Sequence, residues 1–245
     1  MRRVVIILSL FLLTGCKSKP SYYDAKVALD PTWQALDIPG RENNVTVFSL
    51  ELLETIGAKE KISIGIYERS WDNLMLGLQS GDYLAICTSI QPYLFYEKTY
   101  IFSDIYLTTG LVLVTLTQSP WKSLEELKGH EVGILHTTSS LLEKYPQVLQ
   151  RPYESAQQAF NDVRDGSIDA VLVNRLIAEA FVNDLYSGQL KISSPPLTDE
   201  GLRLMGLKKN SKDLIKTFNK GLALLKAEGT YQKISQKWGL SEPLP

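Results

Sequence analysis

The sequence predicts an α/β fold built on mainly parallel sheets, and three features lead there. Short apolar runs of strand character alternate with helical patterns between residues 25 and 240. The strand candidates are rich in branched residues, as in "GLVLVTL" (110–116). The helical patterns carry their own caps and stops, among them Gly57, Gly81 and Ser123. Strands interleaved with helices of about 10 to 15 residues imply βαβ units, which set successive strands parallel.

The elements follow in order. "AKVALD" (25–30) is a strand that turns at Pro31. "NVTVFSLELLETIG" (44–57) opens β-rich, then shows helical spacing at Leu50, Leu53 and Ile56 and stops at Gly57. "KISIGIY" (61–67) alternates like a strand, "WDNLMLGLQSG" (71–81) is a short amphipathic helix, and "YLAICTSI" (83–90) is a buried strand. After the strand at 110–116 comes a helix, "SLEELKG" (123–129), with Ser123 and Glu126 spaced as a capping box. The pattern then repeats in kind. "EVGIL" (131–135) and "IDAVLVN" (168–174) are strands; "TSSLLEKY" (138–145), "SAQQAFNDVRDG" (155–166) and "RLIAEAFVNDLYSG" (175–188) are helices. "LRLMGLKK" (202–209) is a last strand, and residues 211–240 form two helices broken at "EGT". Parallel α/β sheets bind ligands beyond the C-terminal ends of their strands. Functional candidates therefore fall just after Leu29, Ile90, Leu135 and Val173.

Length and composition suit such a fold. The 245 residues suffice for one large domain or two lobes of about 100 residues each. Hydrophobic residues at 44% with charged residues at 22% match a chain that buries a core. The N-terminus stands apart. Arg2 and Arg3 precede a run from Val4 to Leu13 that is apolar except for Ser9. That run is too short to span a bilayer, which takes about 20 residues, and it reads as a secretory signal. "LTGC" (13–16) resembles a bacterial lipobox, so residues 1–15 are expected to be removed and Cys16 lipidated, with 16–24 as a tether. Two or more acyl chains would hold the protein at a membrane surface.

Without Arg2 and Arg3 the chain carries 24 basic residues against 27 acidic, a charge of −3. A nucleic-acid partner calls for a basic patch, and this balance argues against one. Cys87, the other of the two cysteines, lies in the apolar run "LAIC" and reads as a buried thiol with no disulfide partner. His130 and His136 have no ligands at metal spacing, so no metal and no cofactor are expected.

Several stretches in order resemble the type II periplasmic solute-binding proteins of family 3, which serve polar amino-acid ABC transporters. They are Asp30-Pro31-Thr32-Trp33, Trp71-Asp72-Asn73-Leu74 before Gln79-Ser80-Gly81, and Phe102-Ser103-Asp104-Ile105-Tyr106. Ser119-Pro120, "SLEELKG" and Val132-Gly133 follow, then "DGSIDAV" (165–171), Leu197-Thr198-Asp199-Glu200 and "LKAEGTY" (225–231) with Lys233-Ile234 and Lys237-Trp238. The resemblance implies two α/β lobes joined by two hinge strands: 25–108 with 196–245, and 109–195. It also implies capture of a small polar ligand, an amino acid, by closure of the cleft, and delivery to an ABC permease. Localisation would be extracytoplasmic, lipid-anchored on the periplasmic side, and the protein would be a monomer without enzymatic activity.

Carried over residue by residue, the pocket comprises Asp30, Trp33, Trp71, Thr88, Ser89, Gln91, Tyr96, Thr138, Ser139 and Asn174. Asp30 closes the first strand; Trp33 and Trp71 offer ring faces that stack on planar groups or attract cations. Thr88, Ser89 and Gln91 offer hydrogen bonds. Thr138 and Ser139 open a helix whose free N–H groups and dipole favour an anion, although the family's glycine there is Thr137. Two departures matter. The arginine that takes the ligand's α-carboxylate is Tyr96 in an ungapped register, or Leu94 if Ser89-Ile90 sets the frame. The acid that takes the α-ammonium is Asn174. A phenol does not replace a guanidinium in bidentate carboxylate binding, so the family's ligand is not simply inherited. Arg175 offers a cation beside Asn174, but its side chain is expected to run along the following helix. Two other readings stay open: a sensor or surface lipoprotein that kept the fold, and an enzyme resembling the cyclohexadienyl dehydratases, with Asp30 and His136 as titrating groups.

Overall fold

The computed structural model describes residues 23–30, 43–135 and 139–240, the side chains of Ser139 and Ser140 excepted. The first sheet begins with β1 (Ala25–Leu29), helix α1 (Asn44–Glu60), β2 (Ile64–Glu68), α2 (Trp71–Ser80) and β3 (Ala85–Thr88). A short helix, α3 (Leu94–Glu97), leads to β4 (Tyr100–Phe102) and β5 (Leu107–Thr108). The chain then enters a second sheet through β6 (Leu111–Leu116), β7 (Glu131–Leu135), α4 (Ser139–Leu142), β8 (Leu149–Tyr153), α5 (Ala156–Arg164), β9 (Ala170–Asn174) and α6 (Arg175–Ala180). A π-helical turn (Phe181–Leu185) widens the end of α6 before β10 (Leu190–Ile192). The chain returns as β11 (Gly201–Leu207), α7 (Lys212–Ala227) and α8 (Thr230–Lys237).

Strand order is β2-β1-β3-β11-β4, with β5 also on β11, in one sheet and β10-β6-β9-β7-β8 in the other. Within each sheet all strands but one point the same way. The reversed strands are β11, antiparallel to β3 and β4, and β6, antiparallel to β9 and β10. Both are reached directly from the other sheet, without a crossover helix. The aligned strands β1, β3, β7 and β9 therefore send their C-terminal ends to the edges where the chain crosses.

Both faces of the first sheet are covered, and strand alternation sorts its side chains. Ala85 and Cys87 of β3 pack with Phe48, Leu52 and Ile56 of α1 and Phe218 of α7. Ile86 packs on the other face with Leu74 and Leu78 of α2. The second sheet is likewise flanked, by Phe160 and Phe181 on one side and by Leu124, Leu127 and Leu142 on the other.

Three sequence expectations change. Residues 44–47 are helical from the start, because Val45, Phe48, Leu52 and Ile56 are buried on one face, and that burial outweighs β propensity. Gly57 does not stop α1; it lets the helix pass 2.9 Å from Ile62 O, measured from where a Cβ would sit, and the helix ends at Lys61 with φ 59°. "SLEELKG" folds as successive turns, with Leu127 N donating to Leu124 O and His130 N to Leu127 O. Its Glu126 accepts from Lys122 N at 2.7 Å, one residue before the expected box. A segment this short does not repay helix nucleation, and anchoring Leu124 and Leu127 in the core needs only turns.

The crossings are paired. Thr109 N donates to Glu200 O at 2.9 Å and Leu197 N to Leu111 O at 2.7 Å. Leu111 N donates to Thr198 Oγ1 at 2.9 Å. Gly110 lies so close to this strap that a Cβ there would stand 2.1 Å from Thr198 O. The Gly110→Ala variant should lose about 1–3 kcal/mol of stability by overpacking, measured as a lower urea midpoint with an unchanged slope.

Candidate functional site

Of the strand ends named by the sequence, those of β3 and β9 lie beside the crossings, β3 ending at Thr88, two residues before the expected Ile90. On the first sheet β1 ends at Leu29, and Asp30, 8% exposed, shares a small cavity with Val45, Thr46 and Ser49 of α1 and with Cys87, Tyr106 and Leu202. Its volume, about 10 Å³, holds about one water. Cys87 is fully buried and its thiol is pushed up to about 12 by burial, so it is inert as a nucleophile. β3 ends at Thr88, whose hydroxyl accepts from Ile90 N at 3.1 Å and shapes the following turn. Ser89 is half-buried in that turn. Gln91 spans it: Nε2 donates to Asp199 O in the returning crossing at 3.3 Å, and Oε1 accepts from Arg203 at 3.4 Å.

Tyr96 turns inward. Its ring packs on Phe95 (4.2 Å between centroids) and Tyr100 (6.1 Å), while Leu94, the alternative in the other register, is 83% exposed. Trp71, the first residue of α2, is 38% exposed, so a large part of its indole is open to solvent.

On the second sheet Asn174 ends β9 and caps α6. Its Oδ1 accepts from Leu176 N at 2.9 Å, and its Nδ2 donates to Thr109 O at 2.8 Å. Arg175 is buried and donates from Nε to Glu179 Oε1 at 2.8 Å within its own helix, the direction the sequence suggested. Ser139 opens α4; Trp33, Thr138 and Cys16 lie outside the described residues. Because α4 has only four residues, it aligns few peptide dipoles, and the field expected at its N-terminus is small. The 88–91 turn and Asn174 thus stand at strand ends beside the two crossings, where Gln91 and Asn174 each bond to one of them, and Asp30 ends β1, one strand further away.

Sequence reasoning missed Arg203. It sits on β11 directly opposite Thr88 and is 7% exposed. Burial lowers its pKa, while Asp104 and Asp199 hold it up. The signal was legible: an arginine within "LRLMGL", a strand buried at every position, needs acceptors nearby. A wider hollow of about 810 Å³, lined by Lys26, Tyr67, Arg69, Asn73 and Tyr83 among others, opens beside α2 and includes none of the predicted residues.

Residues 25–241 match the family model of the bacterial extracellular solute-binding proteins, family 3. The chain belongs to this family. Among curated family relatives it is 25% identical over 213 residues to the ABC transporter arginine-binding protein 1 of Escherichia coli K12, covering 84% of this chain and 87% of that one. It is 24% identical to the histidine-binding periplasmic protein of the same organism, covering 95% and 96%. The crystal structure of the L-cystine solute receptor of Neisseria gonorrhoeae, unliganded and open, superposes with a TM-score of 0.75 at 22% identity, over 90% of this chain and 95% of that one. The fold is a two-lobe type II binding-protein fold.

In this family member Asn174 caps α6 through Oδ1 and ties the end of β9 to the outgoing crossing through Nδ2. The Asn174→Ala variant removes an N-cap and the clasp on Thr109, and should lose about 1–2 kcal/mol, read as a lower thermal midpoint in the ligand-free protein.

Proposed function

We propose that the protein is an extracytoplasmic, lipid-anchored solute-binding protein that captures an amino acid between its lobes and hands it to the permease of an ABC importer. The lobes are residues 25–108 with 196–245, and 109–195; the protein acts as a monomer and without catalysis. The observation that carries this reading is that Gln91 of the 88–91 turn and Asn174 each bond to one of two paired crossings, from the two different sheets, with Asp30 at the end of β1 beside β3. A ligand touching both edges favours the closed form by its differential affinity, and a two-strand hinge lets the lobes rotate while each core stays packed.

The ligand class follows from what lines those edges. Asp30 supplies an acid and Trp71 an exposed ring, which together suit a cationic or planar side chain. The arginine- and histidine-binding relatives support that choice. Trp33, Thr138 and Ser139 complete the proposed pocket. No helix among the described residues is long and apolar enough to cross a membrane; attachment is assigned to Cys16.

Titration of the purified protein with a panel of amino acids should give heat and a thermal shift for a cationic or planar member. The Asp30→Asn variant should weaken that binding about tenfold or more. A flat response to every amino acid would reject the reading. Labelled fatty acid should be incorporated in bacterial cells expressing the full chain and lost in Cys16→Ser; label retained in that variant would place the anchor elsewhere.

A further inference from the structure

We infer that Arg203 is the ligand's carboxylate anchor on lobe one, delivered by the returning strand β11 rather than by the helix after β3. This rests on the solute-binding reading above and deepens it. Residues directly opposed on neighbouring strands project from the same sheet face. Arg203 opposes Thr88, so its side chain rises beside the turn that Thr88 begins, and its contact with Gln91 confirms that direction.

The guanidinium is under-satisfied where it lies. It is 7% exposed and donates to Gln91 Oε1 at 3.4 Å, a long contact, and among the described residues its Nε has no hydrogen-bond partner. A guanidinium has five N–H donors and stays protonated, and a buried cation left without acceptors is costly. Asp104 and Asp199 favour its charge from a distance; among the described residues neither forms an ion pair with it. A groove of about 380 Å³ reaches Arg203 past Pro92, Phe102 and Ser103. The planar fork of donors matches a carboxylate, which would accept two of them in parallel.

Gln91 is the placeholder. Its amide holds Arg203 at 3.4 Å and the crossing carbonyl of Asp199 at 3.3 Å, and bonds that long yield readily to a charge-assisted pair. A carboxylate displacing Gln91 from Arg203 would also free the 89–92 turn from its contact with the hinge. The cation missing at Tyr96 and Leu94 is thereby restored from beneath the same turn.

The test compares the wild-type protein with Arg203→Met and Arg203→Lys. Calorimetric titrations use L-arginine, L-histidine and L-cystine beside their decarboxylated counterparts agmatine, histamine and cystamine. The expected result is an acid bound more tightly than its amine, with acid affinity falling at least about tenfold in Arg203→Met and amine affinity unchanged. Arg203→Lys should fall in between, since an ammonium cannot bind a carboxylate bidentately. Acid affinity within twofold of wild type in Arg203→Met would overturn the assignment. So would equal losses for acid and amine, which would make Arg203 a support for the turn. If Arg203→Met does not fold, Arg203→Lys carries the same comparison. If no amino acid binds the wild type, the amino-acid reading fails separately. Arg203 is then judged by thermal midpoints in sodium acetate against sodium chloride at equal ionic strength. An acetate shift present in wild type and absent in the variant supports the site, and any other pattern overturns it.

Discussion

The pairing of the two chain crossings is the constraint on which the rest of the molecule depends. Thr109 and Leu111 on the way out bond to Thr198 and Glu200 on the way back, so the two sheets meet at one seam. Each crossing delivers a reversed strand, β6 or β11, into the sheet it enters. The strands aligned against them then send their C-terminal ends toward the seam, where the proposed site lies. Separate apolar clusters pack on each sheet, and they touch at the seam, where Leu176 of α6 packs with the first sheet's cluster and Leu197 of the returning crossing packs against the second's.

The polar residues near the seam divide their work between structure and ligand. Asn174 spends both amide functions on capping α6 and clasping Thr109. Thr88 shapes its turn. Arg175 is neutralised by Glu179. Arg203, by contrast, is buried with an Nε that has no hydrogen-bond partner among the described residues, and Trp71 is 38% exposed. The chemistry of the pocket is therefore set as much by which side chains are already engaged as by which are present.

Much of this was visible in the linear chain. The α/β alternation, the tail helices broken at Gly229, and the strands ending at Leu29 and Leu135 all fall where residue pattern placed them. Several edge elements were not visible. β4, β5 and β10 have two or three residues each, too few to show a period, and β8 contains Pro152 and is largely exposed. Its pairing with β7 comes from the sheet around it. The pattern ran the third strand to Ile90, two residues past its actual end at Thr88, and the sequence alone looked for the site's cation at Tyr96 or Leu94 and found none.

Composition and periodicity determined what each segment buries, because a strand or helix must hide its apolar face whatever its neighbours. The family resemblance was carried separately, by motifs spread from residue 25 to 240. Which polar groups converge was decided only in three dimensions. Arg203 and Thr88 lie 115 residues apart, and only the antiparallel register of β11 on β3 sets them side by side. Register depends on the packing of two whole lobes and on the seam that returns the chain between β3 and β4, and no local window of sequence contains that information.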